Sequence, residues 1–401
     1  MRTKFILRAA LLTVLLLSLA GASKHLRADT GTCGGGAPTT LPFTDVSSTN
    51  FFFCAIAEAY FSGLTNGTTA TTYSPGDVVD RQQMAAFMTR TLDQSLRRGS
   101  RRAALNQFWT TTPHYDIGLA TTQVGDGPAL LQSDGSDLWV PNGSSGTVSR
   151  VRASDGRLLE TWTGATGAQA VLVAMGRVFI IGGTGNQNPG RLFAIDPSQP
   201  PGSVVTVASD LAPGPFRIAF DGNRIWSLST DDVSITTPAA ATPWSSVIVH
   251  ADFGGYSGIV YDGTNIWVSE VDSSSIKRLD QNGNAMGTVV VGDFPESLVF
   301  DGTNIWVGHA GSNSVISVIR ASTATPIAGL LGNGVNNPWS GAFDGQRIMF
   351  ANNSGNSVSM WRASDLTPLG SFPTGSPPFG VCSDGINFWI TLPFAGKVAR
   401  F

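Results

Sequence analysis

The chain has 401 residues, 13% of them charged, and a formal net charge of −3, which argues against nucleic acid as a main partner. Four histidines and three cysteines occur, with no metal-ligand spacing, no Cys-x-x-Cys pair and no nucleophile elbow. No metal, no cofactor and no familiar enzymatic motif is therefore expected.

Residues 1–22 read as a secretory signal. Arg2, Lys4 and Arg8 precede the apolar run AALLTVLLLSLA, and Ala20-Gly21-Ala22 is a small-x-small cleavage site. A membrane anchor needs roughly 20 apolar residues; this run is shorter, and nothing hydrophobic follows the end of the repeats described below. The protein is expected to be exported to the cell surface or envelope, periplasmic or extracellular, with no transmembrane segment after cleavage.

A Gly/Thr-rich arm at 23–40 leads into a segment at 41–98 with two helical patterns. Phe52 to Phe61 has amphipathic spacing and stops before Gly63. Arg81 to Leu96 is a second helix, with Asp80 as N-cap and Gln83 at capping-box spacing. Cys33 and Cys54 would tie the arm to the first helix, a pairing suited to an oxidising compartment. Phe43-x-Asp45-Val46, Phe51 to Phe53, Gly63-Leu64-x-x-Gly67, Tyr73-x-Pro75 and Val79 to Ala85 together resemble a single S-layer homology (SLH) domain. The resemblance implies attachment to cell-wall polysaccharide, an anionic envelope polymer, with Arg81 as a ligand contact and Asp45 in the loop entering the first helix. A structural role for Arg81, pairing with Asp77 or Asp80, is the alternative. The basic cluster Arg97, Arg98, Arg101 and Arg102 follows the second helix and runs into the basic linker 99–114. They form either a solvated face or a contact with acidic polymer or lipid headgroups.

The remainder, 115–401, is built on one unit. "YDGTNIWV" at Tyr261 returns as "FDGTNIWV" at Phe300, and weaker copies begin at Ser133, Ala174, Phe220, Phe343 and Ser383. The anchors Asp134, Met175, Asp221, Asp262, Asp301, Asp344 and Asp384 lie 39–46 residues apart, a repeat architecture. Trp139, Trp226, Trp267, Trp306 and Trp389 each fall five residues after an anchor, a regularity that marks packing between repeats. Within a unit, short apolar runs alternate with turn residues: four strands of roughly 5–6 residues and their connections fill the period. Runs such as Ile-Trp-Val are apolar at consecutive positions, as strands covered on both faces are.

These features predict a seven-bladed β-propeller. The last unit is too short for its fourth strand, and the spare segment 116–124 is placed there to close the ring. The units resemble the NHL, YVTN and streptogramin-lyase-like propellers of bacterial secreted proteins, a fold that hosts binders, scaffolds and enzymes alike.

Eight residues after the anchors stand Asn142, Gly183, Ser229, Glu270, His309, Asn352 and Leu392. They start the second turn of each blade and are expected to ring one face near the central channel. Asn142, Ser229, Glu270, His309 and Asn352 are the candidate ligand contacts. Glu270 and His309, on adjacent blades, are read as exposed neighbours and as the one candidate acid/base pair. Trp267-Val268-Ser269-Glu270 is similar to the Trp-Phe-Thr-Glu found here in streptogramin-lyase-like repeats. Cys382, on an innermost strand, is expected to be a buried free thiol. Three functions stand: an envelope propeller binding protein or glycan ligands, a lyase or hydrolase using Glu270 and His309, and a structural envelope component.

Overall fold

In a computed structural model the chain divides into two compact units, Met1–Phe87 and Met88–Phe401. The structure describes residues 30–33, 38–61, 64–88, 120–185, 187–250, 255–311 and 314–401. The leader 1–22, the Arg97 to Arg102 cluster, the 99–114 linker and the part of 116–124 before Ala120 lie outside them.

In the first unit, Thr30–Thr32 pairs antiparallel with Pro38–Thr40. Helix α1 (Phe53–Phe61) buries Phe53, Ile56, Ala57 and Phe61, the face its amphipathic spacing specifies. Cys33 and Cys54 are joined by a disulfide with Cα atoms 5.5 Å apart. Phe43 is fully buried and meets Tyr60 edge-on at 5.3 Å. The helix at 81–88 opens with the reciprocal bonds its sequence predicts: Gln83 N–H donates to Asp80 Oδ1 at 2.7 Å, and Asp80 N–H to Gln83 Oε1 at 2.9 Å.

The second unit is the seven-bladed propeller. Its four-stranded antiparallel sheets occupy 132–163, 170–211, 217–250, 256–290, 295–330 and 338–373 as blades 1 to 6. Blade 7 takes three strands from the end of the chain and its fourth from the front. Ala120–Gln123 pairs with Lys397–Arg400, Thr122 opposite Val398 and Thr121 opposite Ala399. The innermost strands contact one another around a closed circle, blade 7 meeting blade 1, so the ring of sheets has no open end.

The recurring Asp explains how one short motif builds every blade. At Asp301 one carboxylate oxygen accepts the Thr303 and Asn304 backbone N–H groups at 2.8 and 2.7 Å, holding the tight turn. Gly302 supplies the left-handed residue at φ 91°. The other oxygen accepts the indole N–H of Trp306 at 2.9 Å. The same Trp-to-Asp bond recurs at Asp134, Asp221, Asp262 and Asp384, at 2.7–2.9 Å. Where Trp is replaced by Met349, Arg347 donates to Asp344 instead, at 2.8 Å. Blade 2 dispenses with the carboxylate altogether. Met175 and Gly176 both have positive φ (52° and 68°) and make the turn by backbone geometry.

The tryptophan rings are buried between blades. Trp139 packs with Val171, Val178 and Ile180 of blade 2, Trp267 with Leu298, Ile305 and Val307 of blade 5, and Trp389 with Leu138 and Val140 of blade 1. On three cross-strand partners an arginine lies over the indole: Arg150, Arg278 and Arg400, at 5.1, 5.9 and 5.8 Å, adding a cation–π contact to the packing.

Candidate functional site

The repeat places its eighth-position residues at or just after the end of each second strand. There the side chains of Asn142, Glu270, His309 and Asn352 reach across to the third strand of their own blade. Asn142 donates to Thr147 and Ser149 at 3.1 and 3.0 Å, and Asn352 to Ser357 and Ser359 at 3.3 and 3.1 Å. Glu270 accepts from Lys277 Nζ at 2.8 Å and from the Ser273 hydroxyl. Ser229 donates to the Ala212 carbonyl at 3.3 Å.

His309 is held twice. Its Nδ1–H faces the Asp293 carbonyl at 3.2 Å, which can only accept, so Nε2 accepts from the Ser317 hydroxyl at 2.9 Å in the neutral ring. Burial pushes the imidazole below its ordinary 6.5, against the upward pull of the Asp293 and Gly292 carbonyls and the Asp293 charge.

The expectation of an exposed Glu270/His309 pair is thus corrected. Glu270 is 0% and His309 1% exposed. Both lie on the second-turn side, where Ser274 of blade 4 bonds Asp293 at 3.4 Å. Each is nevertheless committed to hydrogen bonds with its own surroundings rather than presented to solvent. None of the eighth-position side chains lines the central cavity. These residues stand at or just after the end of the second strand of each blade, whereas the cavity is lined by the innermost strands.

Among the described residues, two cavities bear on the propeller's surface and centre. A groove of about 1080 Å³ opens on the second-turn side of blade 6, where the 331–337 connection passes the turn after Asn352. Its lining has the hydroxyls of Ser314, Ser357 and Ser371, the amide of Asn336, and the apolar groups of Leu331, Val335 and Pro373, with no charged side chain.

The other cavity, about 360 Å³, is the central channel, lined by residues from the innermost strands of all seven blades. Sequence reading passed over its main polar feature. Arg217, 8% exposed, reaches across the ring: Nε donates to the Ser257 carbonyl of blade 4 at 3.0 Å and Nη2 to the Trp339 carbonyl of blade 6 at 2.9 Å. Glu296 of blade 5 stands 3.7 Å away. Burial pushes the guanidinium pKa down, and the Glu296 charge offsets this only in part.

The acceptors arise from recurrent β-bulges at the start of the inner strands of blades 4, 5 and 6, which bend the strand and redirect its groups. The signal was available in the repeat. Four residues before the anchors stand Leu130, Val171, Arg217, Gly258, Ser297, Ser340 and Gly380, and Arg217 is the only charge among them. Cys382, on the same wall, is a free buried thiol whose pKa burial raises well above the ordinary value.

In the first unit the two residues marked by the SLH resemblance are far from alike. Asp45 is engaged: its carboxylate accepts Tyr73 N–H at 2.8 Å and Ser74 N–H at 2.7 Å, fixing the Tyr-x-Pro loop beside Phe43. Arg81 is exposed at the start of the helix at 81–88.

Compared by sequence, the chain matches no protein-family model and no curated protein. Compared by shape, it is similar to a structure of streptogramin B lyase, with TM-score 0.56 and 16% identity over 72% of this chain and 99% of the other. It is similar too to selenomethionine-substituted virginiamycin B lyase from Staphylococcus aureus, with TM-score 0.57 and 16% identity over 70% and 98%. Hydrazine synthase of Kuenenia stuttgartiensis gives TM-score 0.57 and 16% identity over 73% and 98%. At that identity the likeness shows the shared propeller fold, a scaffold used by proteins of unrelated chemistry.

Proposed function

We propose that the protein is an exported component of the cell envelope, in which the SLH-like unit attaches to wall polysaccharide and the propeller is a binding module for glycan or protein ligands. The observation that carries the propeller half of this reading is the uncharged groove on blade 6. Hydroxyls and one amide alternate there with aliphatic groups, the complement of a sugar ring with polar edges and an apolar face, and about 1080 Å³ is on the scale of a ligand site. A lyase or hydrolase reading would need Glu270 and His309 available to a substrate, and both already bond their own surroundings. Support for the envelope half is the signal-like 1–22 and the ordered SLH-like motifs, with Arg81 offering an exposed cation to an anionic polymer.

The test is binding of the full chain to a glycan array and to isolated envelope, with Leu331→Asp and Arg81→Ala variants. Loss of array binding in Leu331→Asp and loss of envelope sedimentation in Arg81→Ala, but not in Arg97→Ala, is the expected result. Envelope binding lost equally in both arginine variants, and at raised salt, would replace the specific site by a diffuse basic patch. Absence of any array or envelope ligand would leave a structural component as the reading.

A further inference from the structure

We infer that the outer edge of blade 4 is a peptide-docking site, one that takes an extended segment with an acidic residue between two apolar ones. The site shares no residue with the groove on blade 6, so it does not rest on that reading.

A strand at the rim of a sheet presents unpaired N–H and C=O groups, and charges or prolines normally guard it. Glu160, Asp210 and His250 stand in the outer strands of blades 1 to 3, and Pro326, Pro368 and Pro373 in those of blades 5 and 6. The closing strand of blade 7, ATTQ, is short and polar. Blade 4 has AMGTVV at Ala285–Val290, with neither charge nor proline. Past a bulge at its start, residues 287–290 pair regularly with 275–278. Val291 N–H bonds the Ser274 carbonyl, so by the alternation of an antiparallel ladder Thr288 and Val290 turn their backbone groups outward. Val290 is 72% exposed and Met286 54%.

Arg278 supplies a second, independent observation. It lies over Trp267, on the face toward blade 5, and opposite Gly287. Its guanidinium makes no hydrogen bond or ion pair with any described residue, and Nε is buried without an acceptor. The counterpart in blade 1, Arg150, stands over Trp139 in the same way. It has Asp137 at 2.7 Å and Glu160, directly opposite on the outer strand, at 3.4 Å. In blade 4 these two places hold Asn265 and Gly287. A Cβ at Gly287 would meet nothing within 4 Å. The half-buried cation thus has an open path to the edge and no carboxylate of its own.

An added strand satisfies both features. Main-chain bonds to Thr288 and Val290 supply affinity, and alternate side chains supply specificity. The residue opposite Gly287 would lie about 10 Å from the Arg278 strand, two strand spacings away. With no side chain between, a Glu there can meet the guanidinium. Its two neighbours turn to the other face, toward blade 3. Val290 offers apolar contact on that side, as does Val247 on the outer strand of blade 3, 64% exposed. Val249 packs with blade 4, and Val247, two residues before it, turns the same way.

The experiment titrates the full chain with the capped peptide STVEVTS, and with versions carrying Gln or Lys in place of its Glu, followed by calorimetry. The Glu peptide is expected to bind, the Gln peptide about tenfold more weakly, and the Lys peptide not measurably. Gly287→Glu gives Arg278 an internal partner, as in blade 1, and should erase the preference for Glu over Gln. Thr288→Pro removes an outward N–H and leaves the inward ladder intact, and should abolish binding of both. If Thr288→Pro does not fold, the peptide series on the wild-type chain and on Gly287→Glu decides. No binding of the Glu peptide, equal binding of the Glu and Gln peptides, an undiminished preference in Gly287→Glu, or full affinity in a folded Thr288→Pro would each overturn the proposal. So would a dimer in sedimentation that Thr288→Pro dissolves, because a second copy would then hold the edge.

Discussion

Glu270 and Lys277 meet across adjacent strands of blade 4, carboxylate to ammonium at 2.8 Å, with Glu270 wholly buried and the Lys277 side chain 12% exposed. The pair occupies the place that Asn and Ser fill in blades 1 and 6. Removing one member leaves the other charged and poorly solvated, so Glu270→Ala is expected to destabilise by about 3–5 kcal/mol. The double variant Glu270→Leu, Lys277→Met should recover much of that loss. Urea unfolding of the three variants checks it; a double variant as unstable as the single one would show that the pair contributes more than its mutual compensation.

Trp306→Ala should cost about 3–5 kcal/mol, as truncation of a buried aromatic does. Asp301→Ala removes the acceptor of two turn N–H groups and of the indole, each buried donor left unpaired costing about 1–3 kcal/mol. Because Asp301 and Trp306 share a bond, their losses should not add. A double-mutant cycle with Trp306→Phe and Asp301→Asn measures the coupling, and strict additivity would dissociate the turn from the blade packing.

His309 gives a pH signature. Its folded pKa lies below the ordinary 6.5, so the unfolded chain takes up the proton first as pH falls. Stability therefore declines as pH drops below 6.5 toward the folded value, and levels off beneath it. His309→Gln should flatten this limb. His309→Ala should cost about 1–3 kcal/mol at neutral pH by leaving Ser317 unpaired, more than the near-zero effect an exposed residue would have. An unchanged pH profile in His309→Gln would rule the residue out as the titrating group.

At lower pH the anchors take over. Burial pushes the carboxyls of Asp134 and Asp221 up, but the Trp139 and Trp226 indoles and the turn N–H groups hold them below 3.8. The stability they contribute is complete above the unfolded value of about 3.9 and is lost as pH falls through the folded one. Trp139→Phe should narrow that loss, because one of the bonds to the ionised form is gone. Acid-unfolding curves monitored by circular dichroism are the measurement.

Deleting 115–124 removes the fourth strand of blade 7 and bares the edge of Lys397–Arg400. The expected outcome is aggregation or a broad, lowered melting transition, seen by light scattering and calorimetry. An unchanged melt would mean that the ring is held by blade packing alone.

The blades, their number and the closing strand were legible because packing between like units demands recurrence: the same Asp, Gly and Trp return wherever a turn must be tight and an inter-blade space filled. The eighth position also recurs as a place, but not as a residue. Its variation looked like a recognition surface, whereas Asn142 with Ser149, Glu270 with Lys277 and His309 with Ser317 are different solutions to one internal crosslink, each compensated on the third strand. Arg217 escaped notice for another reason. Its partners Ser257 and Trp339 lie 40 and 122 positions away, and only ring closure brings them together.

The bond from Gln123 to the Gly396 carbonyl joins points 273 residues apart. Blade 7 cannot form until residues 397–400 have been synthesised, and the loop-closure entropy for that contact is offset by no local pairing. For most of its synthesis the chain must hold a strand in reserve, with the edge of its first blades waiting for a partner not yet made.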